Sequence, residues 1–294
     1  SWASGGNLPA AKNDAGGAGT LTAGLQVGGV RIPDSPNTGG LSTQVETNEY
    51  DGSSWTGGGD MNTGRATFGN LGTQTAALAF GGRITNNPFT YTANSEEYNG
   101  SAWTEGNNLG AVKYYMNRSG AGTQTAGLSV GGNDRSTENP TSNVEEYNGT
   151  SWSEVNNAPT ALLRVAGAGT QTASVFTGNQ TNPKNATYLY DGTNWTVSPN
   201  TSNGANGRTA AGSQTAALFV SGAPVPYNGM LSEKWDGTSF SSSANLATKR
   251  EAASGCATSQ AANFVCGGNT PPRLSSTEEF TLGTTTVNAA KTID

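Results

Sequence analysis

The chain has 294 residues, of which 42 are glycine, and charged residues make up only 12% of it. Fifteen lysines and arginines against 21 acidic residues give a net charge of −6, so the basic patch of a protein that binds nucleic-acid phosphates is absent. No apolar run approaches the roughly 18 residues of a membrane-spanning helix, and no signal peptide is visible, so we expect no membrane insertion. Because the chain begins at Ser1, we expect an excerpt or a processed product.

One unit recurs six times, and in each copy a short apolar strand ends at glycine or beside it. A polar phrase such as Gly72–Ala76 (GTQTA) precedes this strand and predicts a turn. A run of small residues comes before the turn and predicts another strand. The six glycine-ended strands are predicted at Leu25–Gly29, Leu78–Gly82, Leu128–Gly132, Val175–Asn179, Leu218–Gly222 and Phe264–Gly268.

The second half of each unit is an aromatic residue, an Asx-Gly turn and another aromatic residue. Asn-Gly and Asp-Gly between short β-like runs are strong hairpin signals. Large amphipathic side chains suit the widening space between neighbouring sheets, so we predict that these aromatic residues are structural. They are Tyr50 with Trp55, Tyr98 with Trp103, Tyr147 with Trp152, Tyr190 with Trp195, and Trp235 with Phe240, together with Trp2.

Each unit is therefore predicted to be a four-stranded antiparallel sheet. The glycine doublet that ends the second strand and the spaced Tyr and Trp that follow resemble the kelch repeat family. The resemblance implies an all-β, six-bladed β-propeller that forms a single domain over residues 1–294. Its kelch-like blades would be centred near residues 28, 81, 131, 178, 222 and 267.

Seven segments compete for the six outer-strand positions. We predict that the N-terminal strand around Trp2 supplies the outer strand of the last blade and closes the ring, because closure hides an exposed edge. Residues 284–294, which include Thr284–Val287, would be an extra strand or a connector.

Two sets of charged residues recur with the unit. The glutamates are predicted to share one position on a solvated face of the outer strands, and the arginines, which fall in no common register, are given no shared role. These residues are Glu49, Glu97, Glu146, Glu233 and Glu279, and Arg65, Arg118, Arg164, Arg208 and Arg250.

The sequence lacks the residues that several enzymatic and metal-dependent chemistries require. Histidine is absent, which removes the commonest general base and the copper ligands that kelch-type oxidases need. Asp51–Trp55 is similar to the Asp-box turn of sialidases, but that turn is a hairpin device, and no converging pair of carboxylates is visible. We therefore predict no enzyme activity, no metal and no cofactor. Calcium in oxygen-rich loops stays open, without an EF-hand spacing. Cys256 and Cys266 are predicted to be buried thiols.

The connections after the glycine-ended strands vary most, and variable loops on a repeating scaffold carry function. In a propeller they would emerge on one face, where aromatic and hydrogen-bonding groups would suit a sugar or a peptide. The alternative is that they are solvated loops. Lys113-Tyr114-Tyr115 is a second patch that does not repeat. The candidate ligand-binding residues are Arg31, Arg83, Phe89, Tyr91, Arg135, Lys184, Tyr188, Tyr227 and Arg273.

The GTQTA phrase, the glycine pair and the EEYNG turn are similar to kelch-like proteins of marine bacteriophages. That resemblance implies a non-enzymatic structural protein of the virion surface: a tail-fibre, fibre or decoration module with other virion proteins as partners. It would attach to a host-surface glycan or protein. The alternative is an extracellular adhesin or lectin-like module of a bacterial cell surface. An intracellular kelch adaptor is disfavoured, because no helical partner domain is present.

Overall fold

The computed structural model describes residues 1–31, 42–86, 88–116, 119–223, 229–256 and 259–282. Every regular element in these ranges is a β-strand. None of the described residues forms a helix long and apolar enough to cross a membrane. Arg118, Tyr227, residues 284–294 and the side chain of Cys256 lie outside what is described, whereas Cys266 is buried.

Four-stranded antiparallel sheets make up most of the described chain, and six of them follow one another along the sequence. We number them sheet 1 to sheet 6 and number the strands of each sheet in the order of pairing, so that the first strand is the one built of small residues. Sheet 1 contains Gly16–Thr20, Ala23–Val27, Thr47–Tyr50 and Trp55–Gly57, and sheet 2 contains Gly69–Thr73, Ala76–Phe80, Ser95–Tyr98 and Trp103–Glu105. Sheet 3 contains Gly120–Thr123, Ala126–Val130, Val144–Tyr147 and Trp152–Val155, and sheet 4 contains Ala166–Thr170, Ala173–Thr177, Thr187–Tyr190 and Trp195–Ser198. Sheet 5 contains Thr209–Ser213, Ala216–Val220, Ser232–Trp235 and Phe240–Ser242.

Sheet 6 takes its strands from both ends of the described chain. Its first three strands are Ser254–Cys256, Ala262–Cys266 and Thr277–Thr281, and its fourth is Trp2–Gly5. The N-terminal strand pairs antiparallel with Thr277–Thr281, with Trp2 opposite Phe280. The rings of these two residues lie 5.1 Å apart.

Short hairpins extend the loops that follow the second strands. Val30–Arg31 pairs with Ser42–Thr43 after the second strand of sheet 1, and Arg83–Asn86 pairs with Phe89–Tyr91 after that of sheet 2; each pair is a separate two-stranded sheet. After sheet 3's second strand, Asn133–Asp134 pairs with Asn139–Pro140, and on its other side with Lys113–Tyr114. The loops that the sequence marks as variable therefore carry structure of their own.

The first strands of the six sheets lie beside one another. Each contacts the first strand of the next sheet, and that of sheet 6 contacts that of sheet 1. Glycine is required here because the backbones approach closely: a Cβ added to Gly17 would lie 3.0 Å from the backbone nitrogen of Gly255. Together the first strands surround a cavity of about 250 Å³.

The glutamine of the GTQTA turn joins neighbouring sheets. Gln124 Nε2 donates to the carbonyl oxygens of Ala77 at 2.9 Å and Tyr98 at 2.7 Å, both in the preceding sheet. Leu21 occupies this position in sheet 1 and packs instead against a cluster that includes Tyr50. The turn phrase therefore also links sheets, which the sequence did not reveal. Gln74, Gln171, Gln214 and Gln260 make the same pair of bonds.

A tyrosine at the end of the third strand donates to a glutamate of the preceding sheet. Tyr98 reaches Glu49 at 2.7 Å, and Tyr190 reaches Glu146 at 3.0 Å. The prediction that these glutamates form a solvated face is wrong, because they lie half-buried between sheets and accept these bonds. Tyr147 with Glu97 and Tyr50 with Glu279 repeat the contact.

At the two remaining contacts between the third strands of neighbouring sheets, both the tyrosine and the glutamate are replaced. Where sheet 5 has Trp235 instead of tyrosine, sheet 4 has Leu189 instead of glutamate, and the two belong to one hydrophobic cluster. Where sheet 6 has Phe280, sheet 5 has Lys234, whose ammonium lies 5.9 Å from the centre of the ring. Each junction is thus chemically matched.

Buried ion pairs lie within four of the sheets. Lys113 contacts Glu145 at 2.7 Å, and Arg250 contacts Glu278 at 2.8 Å. Desolvation by burial lowers the pKa of Arg250, and the carboxylate of Glu278 counteracts that shift. The prediction that the arginines share no role is wrong for Arg65, Arg208 and Arg250, and Glu233 is a partner in such a pair and not a solvated residue. The other pairs are Arg65 with Glu96 and Arg208 with Glu233.

Candidate functional site

Six residues that precede the first strands have left-handed backbone conformations. They form a chain of backbone hydrogen bonds from sheet to sheet: the amide of Thr67 donates to the carbonyl of Asp14 at 3.1 Å, and that of Asp14 donates to Ala252 at 3.0 Å. These hydrogen bonds lie at the end of the molecule at which the variable loops emerge. The six residues are Asp14, Thr67, Tyr115, Arg164, Gly207 and Ala252, with φ values of 56°, 55°, 54°, 56°, 63° and 49°.

A pocket of about 180 Å³ opens at the same end, and we call it the end pocket. The residues that line it carry two carboxylates, one guanidinium and two side-chain amides. Nε of Arg164 is buried and finds no hydrogen-bond partner among the described residues. The end pocket is lined by Asn13, Asp14, Arg164, Asn206, Gly207, Ala223, Glu251 and Ala252.

Three tyrosines form a row that leads away from the end pocket, and we call Tyr91, Tyr114 and Tyr115 the tyrosine row. The rings of Tyr91 and Tyr114 are stacked with centroids 4.0 Å apart, and those of Tyr114 and Tyr115 are 5.0 Å apart. The hydroxyl of Tyr114 donates to Glu138 at 2.6 Å, so this buried ring is held in place.

Arginine side chains lie over the aromatic rings of this region. The guanidinium carbon of Arg164 is 4.5 Å from the centre of the Tyr115 ring, and that of Arg135 is 5.7 Å from the Tyr91 ring. Arg83 lies 5.0 Å from the ring of Phe89, which is 56% exposed. Such stacking holds a guanidinium rigidly while its N–H groups stay available at the edge.

These arginines differ in their counterions. Arg135 forms a half-exposed ion pair with Glu138. Neither Arg83 nor Arg164 has a carboxylate within ion-pair distance among the residues that the structure describes. Arg164 belongs both to the end pocket and to the stack on Tyr115, so it connects the pocket with the tyrosine row.

The structure brings together four of the predicted ligand-binding residues: Arg83, Phe89, Tyr91 and Arg135. It also joins to them the Lys113-Tyr114-Tyr115 patch, which the sequence left as a separate feature. Lys113 itself is buried in its ion pair with Glu145 and is not available to a ligand.

The other predicted ligand residues lie elsewhere. Arg31 pairs with Glu46 at 3.1 Å, and Arg273 donates to Asn13 at the wall of the end pocket. Lys184 is exposed and away from the row. The prediction that Tyr188 lies in a binding loop is wrong, because it is in the third strand of sheet 4 and is 5% exposed; burial raises its pKa.

The sequence missed the residues of the end pocket. Asp14, Arg164 and Glu251 are near the start of the repeat, whereas the variable loops that predicted a binding face follow the second strands. Their signal in the sequence was only positional and did not distinguish them, because a charged residue stands just ahead of each of the six small-residue runs. Nothing in the sequence shows that these starts meet at one end of the molecule.

The aspartate carboxylates of the Asx-Gly turns accept hydrogen bonds from backbone amides of the same turns. Asp51 accepts bonds from the amides of Ser53 and Ser54, both at 2.7 Å, and backbone hydrogen bonding lowers its pKa to about 2. Among the residues that the structure describes, no group of three or more His, Cys, Asp or Glu side chains is placed to hold a metal ion.

Comparisons with known proteins support the fold and leave the activity open. No family model matches the chain, and no curated protein matches it in sequence. Its structure is similar to the solved structure of YjhT, a fold of the kelch or β-propeller type, with a TM-score of 0.71 over 95% of this chain and 97% of that chain. The two sequences are 13% identical, so the likeness shows the fold alone. The chain is a β-propeller.

Proposed function

We propose that the six sheets are the blades of a single, closed, six-bladed propeller with kelch-like repeats over residues 1–294. The first strands would surround the axis, and Trp2–Gly5 would close the ring as the outer strand of the last blade. The contact between the first strands of sheets 1 and 6, and the pairing of Trp2 with Phe280, support this arrangement.

We further propose that the propeller is a non-enzymatic recognition module of a virion surface, a fibre or decoration protein that binds a host-surface glycan. The observation that carries this proposal is the continuous array from Arg83 through the tyrosine row to Arg164. It combines aromatic rings with planar hydrogen-bond donors at the end where the variable loops emerge, a combination that suits a polar, hydroxyl-rich ligand.

Rigidity supports a binding role for this array. Tyr91 is stacked on Tyr114, and the hydroxyl of Tyr114 is bonded to Glu138 and Asn133. Side chains that are already ordered lose little conformational entropy when a ligand binds. Free, solvated loop side chains would not be braced in this way.

The second candidate is an extracellular adhesin or lectin-like module of a bacterial cell surface. The same array supports it, because the chemistry of recognition would be the same. Genes for phage structural proteins beside the reading frame would favour the virion, and a cell-wall sorting or autotransporter segment in the parent protein would favour the adhesin.

The experiment is binding of the purified chain to a glycan array and to intact candidate host cells. We expect saturable binding that is lost when Arg83→Ala and Tyr91→Ala are combined. The matched control combines Lys184→Ala with Val197→Ala, which also removes one cation and one large side chain but lies away from the tyrosine row. Absence of binding by the native chain on both panels would contradict a recognition role and favour a purely architectural one.

A further inference from the structure

We propose that the end pocket is the subsite for the terminal unit of the ligand, and that this unit is a neutral sugar with free hydroxyl groups. The inference rests on the proposed function and specifies it. The rest of the saccharide would leave the pocket past Arg164 and lie toward the tyrosine row.

Size favours one unit of a longer ligand. The end pocket measures about 180 Å³, whereas pockets that enclose a whole drug-sized ligand measure roughly 300–1,000 Å³. A ligand that also reaches the tyrosine row therefore has most of its length outside the pocket. An extended chain whose last unit enters the pocket fits both features.

The polar lining favours hydroxyl groups. A hydroxyl donates one hydrogen bond and accepts two, and the pocket offers both kinds of partner. Asp14 and Glu251 supply acceptors, Arg164 supplies donors, and the amide of Asn206 supplies both. The amide of Asn13 is already engaged, because its nitrogen donates to Asp14 and its oxygen accepts from Arg273. The side chain of Glu251 makes no hydrogen bond or ion pair with any residue that the structure describes, so its carboxylate needs no rearrangement to accept from a ligand.

Charge decides between neutral and acidic sugars. Asp14 and Glu251 are balanced by Arg164 in the lining and by Arg273 behind Asn13, so the pocket has no surplus positive charge to attract a carboxylated or sulfated terminal unit. A neutral sugar needs no such surplus, and its hydroxyls form charge-assisted hydrogen bonds, which are the stronger kind.

The wall of the pocket is preorganised. The amide of Asp14 donates to Ala252, and that of Gly207 donates to Arg164 at 2.8 Å, so backbone bonds tie together the segments that line it. Arg164 is in addition stacked on Tyr115. Binding therefore does not require the pocket to form first.

The test combines Asp14→Asn with Glu251→Ala. Asparagine tolerates the left-handed conformation of position 14, so the backbone should be retained. The matched control combines Asp60→Asn with Glu105→Ala, which removes the same charges from exposed positions. Thermal melting of both variants checks that they are folded.

The probes are three versions of the best-binding glycan of the array: one with a free neutral terminal sugar, one with that sugar O-methylated, and one ending in an acidic sugar. We expect the native chain to prefer the first by about tenfold or more over each of the others. The pocket variant should bind the first about tenfold more weakly in titration calorimetry, and the control should match the native chain.

The outcomes separate the two proposals. If binding depends on Arg83 and Tyr91 but is unchanged in the folded pocket variant, the recognition role stands and the subsite is overturned. A preference for the acidic or O-methylated terminus overturns the subsite in the same way. If the native chain binds no glycan, both proposals fail.

Discussion

The hydroxyl of Tyr50 donates a hydrogen bond to a carboxylate oxygen of Glu279, and this bond joins sheet 1 to sheet 6. The same contact joins sheet 1 to sheet 2 through Tyr98 and Glu49. The junction between residues far apart in sequence is therefore built like one between neighbouring repeats.

Tyr50→Phe should lower the free energy of unfolding by about 1–3 kcal/mol, because it leaves the half-buried Glu279 without its donor. Tyr98→Phe is the matched control at a junction between consecutive sheets. In a closed ring both variants should cost a similar amount in urea unfolding. A clear cost for Tyr98→Phe with none for Tyr50→Phe would contradict closure.

Alkaline pH should destabilise the protein through these tyrosines. Desolvation by burial, followed by the hydrogen bond to a glutamate, raises the pKa of Tyr50 and of Tyr98 from 10.0 to about 12. Between these values the folded chain keeps protons that the unfolded chain has lost. Their contribution to stability is therefore complete below pH 10 and declines as the pH rises toward 12.

The measurement is the melting temperature between pH 8 and pH 12. A variant that combines Tyr50→Phe and Tyr98→Phe has lost two of the titrating groups, so its melting temperature should fall less steeply above pH 10. Parallel curves for the variant and the native chain would contradict the prediction.

The sequence was sufficient for features that depend on neighbours along the chain. Four-stranded antiparallel sheets follow from the glycine-ended strand and the Asx-Gly turn, whose signals are local. Gly28 and Gly29 have φ values of 61° and 95°, which explains why a glycine pair ends that strand. Contacts between sheets were not predicted, because a side chain such as Gln124 gives no sign of the carbonyl groups that it will reach.

The same limit applies to the candidate site. Arg83 and Tyr91 were selected because they are in a variable loop, and they do face each other across a hairpin. Glu251 was missed because only the three-dimensional arrangement brings it near Asp14. Tyr188 was misassigned because its loop ends earlier than the sequence suggested, and the third strand of sheet 4 begins at Thr187.

Glu278→Gln should cost about 3–5 kcal/mol in chemical unfolding, because it leaves the buried guanidinium of Arg250 without a counterion. Replacing both residues, by Arg250→Met and Glu278→Leu, should cost less than the single change. The exposed Glu105→Gln is the control and should alter stability by less than about 0.5 kcal/mol. A double variant less stable than Glu278→Gln would contradict the ion-pair explanation.

Gln124→Leu should cost about 1–3 kcal/mol, because the carbonyl oxygens of Ala77 and Tyr98 each lose a donor between sheets. The exposed Gln180→Leu is the same substitution without these bonds and should be nearly neutral by differential scanning calorimetry. Equal effects of the two changes would show that the glutamine does not link the sheets.

The pairing of Trp2–Gly5 with Thr277–Thr281 determines when the last sheet can be completed. During synthesis Trp2–Gly5 is made long before Thr277–Thr281, so it has no partner until that strand has emerged. Each doubling of the intervening length adds only about 0.6 kcal/mol to the entropy of closing that loop, so the pairing is thermodynamically accessible although late. In the interval Thr277–Thr281 presents an open edge that the N-terminal strand of a second molecule also fits. Crowded synthesis or refolding therefore favours strand exchange between copies at this sheet.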